Sequence, residues 1–207
     1  MNTANTPKKI PLAYFLVPLL IQLGIILLIP SKSFSTYKTG QDVVIQTRPV
    51  DPYDFLRGYS QTLSYDISQV RDLKKLPGGK DLKKGNVFYV VLQAPENTDQ
   101  KPPKPWEPVS INQTQPKDLS SNQIALKGVV KKYNRVKYGL ERYYMPEDQR
   151  DQINKEIRDL NLVNRNLERD SENRSDRRRP FVVSIKVGKD GHSVPVSLWL
   201  GDRNYQF

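Results

Sequence analysis

The carboxylates Glu141, Glu147 and Asp148 come closest to a general acid–base set in this chain of 207 residues. Such chemistry needs two carboxyl groups at a fixed separation with their pKa values pushed apart. Glu147 and Asp148 instead follow Pro146 at the head of a helical pattern, where negative charge complements unpaired amides. Ser and Lys are plentiful enough for a Ser/Lys hydrolase, but no nucleophile motif singles out a pair. His192 is the only histidine and there is no cysteine. A disulfide framework, a thiolate nucleophile, a cysteine-ligated metal and a His-rich metal centre are therefore excluded. No cofactor-binding motif is present, so catalysis stays unassigned. His192 flanks the Asp190-Gly191 turn, opposite Lys189, and reads as an exposed tip residue.

Charge is the stronger signal, at a formal net of +11. Lys74, Lys75, Lys80, Lys83 and Lys84 form one cluster. Lys127, Lys131, Lys132, Arg135 and Lys137 form a second without an intervening acid. Arg174, Arg177, Arg178 and Arg179 close a third. Such clusters keep a domain soluble and protect sheet edges, or they attract an anionic neighbour. Lys131, Lys132, Arg177, Arg178 and Arg179 are the candidate contacts to an anionic surface. Nucleic acid is not the expected partner, because no reading motif accompanies the charge.

What must position these residues begins with an uncharged run from Ile10 to Pro30, bracketed by Lys9 and Lys32. A helix rising about 1.5 Å per residue makes this run long enough to cross a hydrocarbon core of about 30 Å. It exceeds the apolar core of a cleaved signal peptide, and Ser31-Lys32-Ser33 is a poor cleavage site. The expected organisation is a cytoplasmic leader over 1–9, an uncleaved transmembrane anchor over 10–30, a linker over 31–41 and an extracytoplasmic domain over 42–207. A short leader is easily retained in the cytoplasm, which places the domain outside. The positive-inside count is otherwise nearly balanced.

Within the domain, period-two alternation predicts strands. Asp42–Thr47 is the first. Tyr59–Ile67 is the clearest, with Tyr59, Leu63, Tyr65 and Ile67 on one face. Val87–Leu92 is apolar on both faces, as a central strand is. Trp106–Ile111 reads as an edge strand between prolines, and Ile124–Tyr133 with Val136–Met145 as a hairpin around Asn134. Ile153, Ile157, Leu160, Val163 and Leu167 step by three and four and draw the apolar stripe of one amphipathic helix. A two-residue Asp190-Gly191 turn would set Phe181, Val183, Ile185 and Val187 opposite Leu200, Leu198, Val196 and Val194, with Pro195 on the other face.

Thr47–Ser68 reads TRPVDPYDFLRGYSQTLSYDIS. It resembles the signature of the GDYXXLXY family, a bacterial membrane-anchored family without an assigned function. Pro49, Asp51 and Pro52 match the approach to the motif, and Gly58, Leu63 and Tyr65 match the motif itself. Tyr59 and Ser60 stand where the family has Asp and its first Tyr. Tyr138–Glu147 is similar to a second recurrent stretch, Tyr-Gly-x-Glu-x-aromatic ending in Pro-Glu. The resemblance implies a single-pass membrane protein with a β-rich outer domain and supplies no reaction.

The expected fold is therefore all-β to α+β: a transmembrane helix, then a mainly antiparallel β domain with one amphipathic helix. Gly58, Leu63, Tyr65, Glu141 and Tyr144 are the candidate binding rim. The expected partners are the bilayer, its anionic headgroups and another integral membrane protein. The alternatives are an envelope hydrolase and a lipid- or ligand-binding barrel with an apolar cavity under Tyr65 and Phe88.

Overall fold

The computed structural model describes residues 12–48, 60–97, 100–144, 147–170 and 180–206. Helix α1 (Ala13–Thr39) passes through Pro18 and Pro30 without ending. Its segment Tyr14–Thr39 is long and apolar enough to cross a membrane, with a mean hydropathy of 2.1 and none of its most apolar stretch buried against the domain. The linker expected over 31–41 is thus helical nearly to its end. Only Gly40 separates α1 from strand β1 (Gln41–Arg48). Its amide caps the helix on the Thr36 carbonyl at 2.8 Å. A Cβ at residue 40 would lie 2.5 Å from that oxygen, so the direct change from helix to strand requires glycine.

The domain is antiparallel, with few helices. A five-stranded sheet runs β11-β10-β9-β1-β3, with β3 (Ser64–Tyr65), β9 (Phe181–Val187), β10 (Ser193–Leu200) and β11 (Arg203–Gln206). A four-stranded sheet runs β5-β4-β6-β7, with β4 (Val87–Gln93), β5 (Glu107–Asn112), β6 (Gln123–Val130) and β7 (Val136–Lys137). A small pair joins β2 (Ser60–Thr62) to β8 (Arg142–Tyr144). The two larger sheets contribute Val43, Ile45, Ile185, Phe88, Val90 and Leu126 to one continuous core. The double apolar pattern of β4 places it centrally, and Pro108 in β5 suits a strand at an edge.

Helix α2 (Val70–Leu73) is a single turn, and α3 (Arg150–Asp170) follows a 3-10 turn over Glu147–Gln149. Ile153, Ile157 and Leu160 are buried as the stripe requires. Beyond them the inward positions pass to Asn161 and Asn164, while Val163 is only half-buried.

Three strand expectations change. The strand expected over Val136–Met145 is divided, because β7 pairs with β6 whereas β8, past Gly139, pairs with β2. The single strand over 59–67 is divided, because β2 pairs with β8 whereas β3 pairs with β1, after which Asp66–Ser68 turns. The last hairpin keeps Phe181 opposite Leu200 and Val183 opposite Leu198, but Val187 faces Ser193 and Ile185 faces Pro195. Gly191 sits at φ +79° and its amide closes on the Gly188 carbonyl at 2.9 Å. The connection therefore has three residues, Lys189 to Gly191, the geometry that a left-handed glycine favours. His192 accordingly faces Gly188 and not Lys189. The register shift between Pro195 and Ser197 restores the expected pairing. β10 lies between β9 and β11, yet β11 reaches only Ser197–Leu200, so Pro195 pairs with β9 alone, beside the bulge.

Candidate functional site

The two recurrent stretches clasp each other. The Leu63 amide donates to the Glu141 carbonyl at 2.8 Å. The Tyr65 hydroxyl donates to the Leu140 carbonyl, and the Tyr138 hydroxyl to the Ile67 carbonyl, both at 2.6 Å. β2 and β8 continue the contact by pairing Ser60 with Tyr144 and Thr62 with Arg142. Burial raises both tyrosine hydroxyls well above their ordinary pKa, and the Glu141 charge adds to the effect. Leu63 and Tyr65 thus lie in the core and not on an accessible rim.

Glu141 is committed to the same clasp. Its carboxylate accepts from the Tyr138 amide at 2.6 Å and from the Gly139 amide at 3.2 Å. Gly139 stands at φ +85°, which lets the chain fold its amides onto that carboxylate. Glu141 and Tyr144 also line an open cleft of about 540 Å³ with Lys137, Gly139, Arg142 and Pro195. Two rim residues therefore meet at a surface while two support it from within. Gly58 lies outside the described residues, as do Arg177, Arg178 and Arg179.

A second cleft, of about 360 Å³, adjoins the first through Lys137 and Gly139. Lys32, Lys127, Lys131, Tyr138 and His192 line it as well. Lys127, Lys131 and Lys137 come from the basic cluster visible in the sequence, whereas Lys132 projects from the β6–β7 turn and does not line the cleft. Lys32 and His192 arrive by a route that sequence spacing does not reveal. The β9–β10 tip docks on α1, with Lys32 Nζ 2.7 Å from Asp190 Oδ2 and Ser33 Oγ 3.3 Å from His192 Nε2. The same tip rests on β6, where the Lys127 amide donates to the Gly191 carbonyl at 2.9 Å. A Cβ at residue 191 would meet Tyr89 at 2.9 Å and the Ala125 carbonyl at 3.1 Å.

The electrostatics of this second cleft follow from its lysines. The Lys32 hydrogen bond holds the Asp190 carboxyl below the usual range, and the His192 amide assists at 3.0 Å. Burial lowers the His192 pKa, and the charges of Lys32 and Lys127 lower it further against the opposing pull of Asp190. A third cleft of about 480 Å³ lies between α3 and the β10–β11 turn, where Glu156 is bound by Arg203 and by the Tyr205 hydroxyl, the latter at 2.6 Å. Among the described residues, no group of three His, Cys, Asp or Glu side chains gathers to hold a metal ion.

A family model, described as GDYXXLXY protein, matches residues 22–198 and so covers most of the chain. No curated protein matches the chain. No solved structure matches it either. The interlocked motif strand and Tyr-Gly-x-Glu stretch both fall within the matched region, and the chain belongs to the GDYXXLXY family.

Proposed function

We propose that the protein is a single-pass, membrane-anchored module that holds its β domain on the extracytoplasmic side and binds another integral membrane protein there. The observation that carries this reading is the continuity of α1 with β1 across Gly40 alone. A loose tether would let a domain sample the space above the bilayer. Here the helix docks on the β9–β10 tip through Lys32, Ser33 and the buried Thr36, so the domain keeps one height and one orientation. A fixed face beside a membrane suits a partner fixed in the same membrane.

The hydrolase alternative draws less support. Glu141, the carboxylate best placed in a cleft, is held by two backbone amides and has a structural task. The barrel alternative draws less as well, since Tyr65 and Phe88 are fully buried and line none of the three clefts. Chemical crosslinking of the full chain in its native membrane tests the proposal. The expected result is repeated capture of one integral membrane protein, and its loss when a flexible Gly/Ser insert is placed between Thr39 and Gly40. Repeated capture of the chain with itself alone would contradict it.

A further inference from the structure

We infer that the cleft formed by Lys32, Lys127, Lys131 and Lys137 binds the phosphate of an anionic phospholipid in the leaflet from which α1 emerges. The inference rests on the membrane anchoring proposed above. Its first support is depth. Pro30 ends the uncharged run, and Lys32 lies two residues further along an unbroken helix, about 3 Å by helical rise. The Lys32 ammonium is then at headgroup level, and so is the cleft it lines.

The second support is charge. Four lysines line one cleft, and the carboxylate beside it, Asp190, is taken by Lys32. Lys127, Lys131 and Lys137 form no ion pair among the described residues. A phosphate bound among lysines that have no carboxylate partner accepts their ammonium hydrogen bonds and balances their charge. Basic residues near an anionic membrane surface are drawn to its headgroups.

The third support is the turn that carries Lys131. Tyr133 on that turn is 94% exposed and held at φ +60°, where a bulky side chain is an outlier. An aromatic ring beside lysines matches the amphipathic layer at the membrane–water boundary, where tyrosine is enriched. Free phosphate shares the same chemistry, but the depth of Lys32 favours the lipid-borne group.

The test reconstitutes the full chain into phosphatidylcholine vesicles containing a minor share of phosphatidylglycerol, extracts it gently, and measures retained lipid by mass spectrometry. Retained phosphatidylglycerol should exceed its share in the vesicle several-fold. The triple variant K127Q/K131Q/K137Q should fall to the vesicle ratio, whereas K80Q/K83Q/K84Q, which removes equal charge elsewhere, should keep the enrichment. All six lysines are exposed, and matching melting curves would verify that folding is intact. Equal enrichment in the wild type and the cleft variant would overturn the inference. So would displacement of the lipid by millimolar inorganic phosphate at constant ionic strength, which would assign the cleft to the free ion. A chain that floats with the vesicles yet retains no excess anionic lipid defeats this inference alone. A chain that fails to float even with neutral vesicles defeats the anchoring and this inference with it.

Discussion

The Tyr65 hydroxyl donates to the Leu140 carbonyl at 2.6 Å, joining residues 75 positions apart. Tyr65 is the last residue of the family's motif strand, and Leu140 precedes the glutamate of its second recurrent stretch. The two signatures are halves of one contact. Tyr65→Phe keeps the ring and leaves the buried carbonyl without its donor, a loss of about 1–3 kcal/mol. Thermal melting of the full chain in detergent should show a lower midpoint with the fold retained. An unchanged midpoint would remove the structural role given to the motif tyrosine.

Alkaline titration checks the burial of the same hydroxyls. Tyr65 and Tyr138 are raised well above the ordinary tyrosine pKa, and burial pushes Tyr143 up to about 12. A folded pKa above the unfolded one gives stability that is complete below about pH 10 and lost as pH rises through the folded value. Phenolate absorbance should therefore show Tyr65, Tyr138 and Tyr143 ionising late, together with unfolding. Ionisation of these three near pH 10 with the fold intact would contradict the clasp.

His192 is the only histidine, so its imidazole resonances report the basic cleft without assignment. Its pKa is depressed by burial, Lys32 and Lys127. The unfolded state thus binds the proton more readily, and stability falls as pH drops below about 6.5 toward the folded value. The NMR midpoint should lie below 6.5 in neutral detergent and rise when phosphatidylglycerol is added, because a bound phosphate opposes the lysine charge. A midpoint that ignores anionic lipid would argue against a phosphate beside His192.

Asn161 is buried in α3, and among the described residues neither its amide nitrogen nor its oxygen has a hydrogen-bond partner. A buried amide in that state costs about 1–3 kcal/mol. Asn161→Leu should raise the unfolding free energy by about 1 kcal/mol, measured by urea denaturation. A loss of similar size would show that the amide serves a contact.

The legible parts of this fold are those that local pattern decides. The double apolar run of Val87–Leu92 placed β4 centrally, the prolines before and within Glu107–Asn112 placed β5 at an edge, and the step from Ile153 to Leu160 placed α3 on the core. What depended on one backbone angle was missed: Gly191 in the left-handed region adds a residue to the turn, and the bulge past Pro195 takes it back. Ser31–Thr39 reads as a linker because Ser, Thr and Lys dominate it, yet α1 continues through it and Thr36 is buried where the hairpin tip docks. The basic site was half legible. Lys127, Lys131 and Lys137 alternate along or across adjacent strands, but Lys32 joins them only because the tertiary fold carries the Asp190 turn back to α1. No spacing rule relates residues so far apart.

The measurement that bears most directly on the account is thiol labelling in intact cells. The chain contains no cysteine, so one introduced at Thr3 or at the exposed Ser121 is unique. With α1 spanning the bilayer and the domain outside, a membrane-impermeant maleimide should modify Ser121→Cys in unbroken cells and Thr3→Cys only after permeabilisation. Both variants should stay with the membrane through an alkaline wash. The reverse labelling pattern, or release of both variants into the soluble fraction, would contradict it.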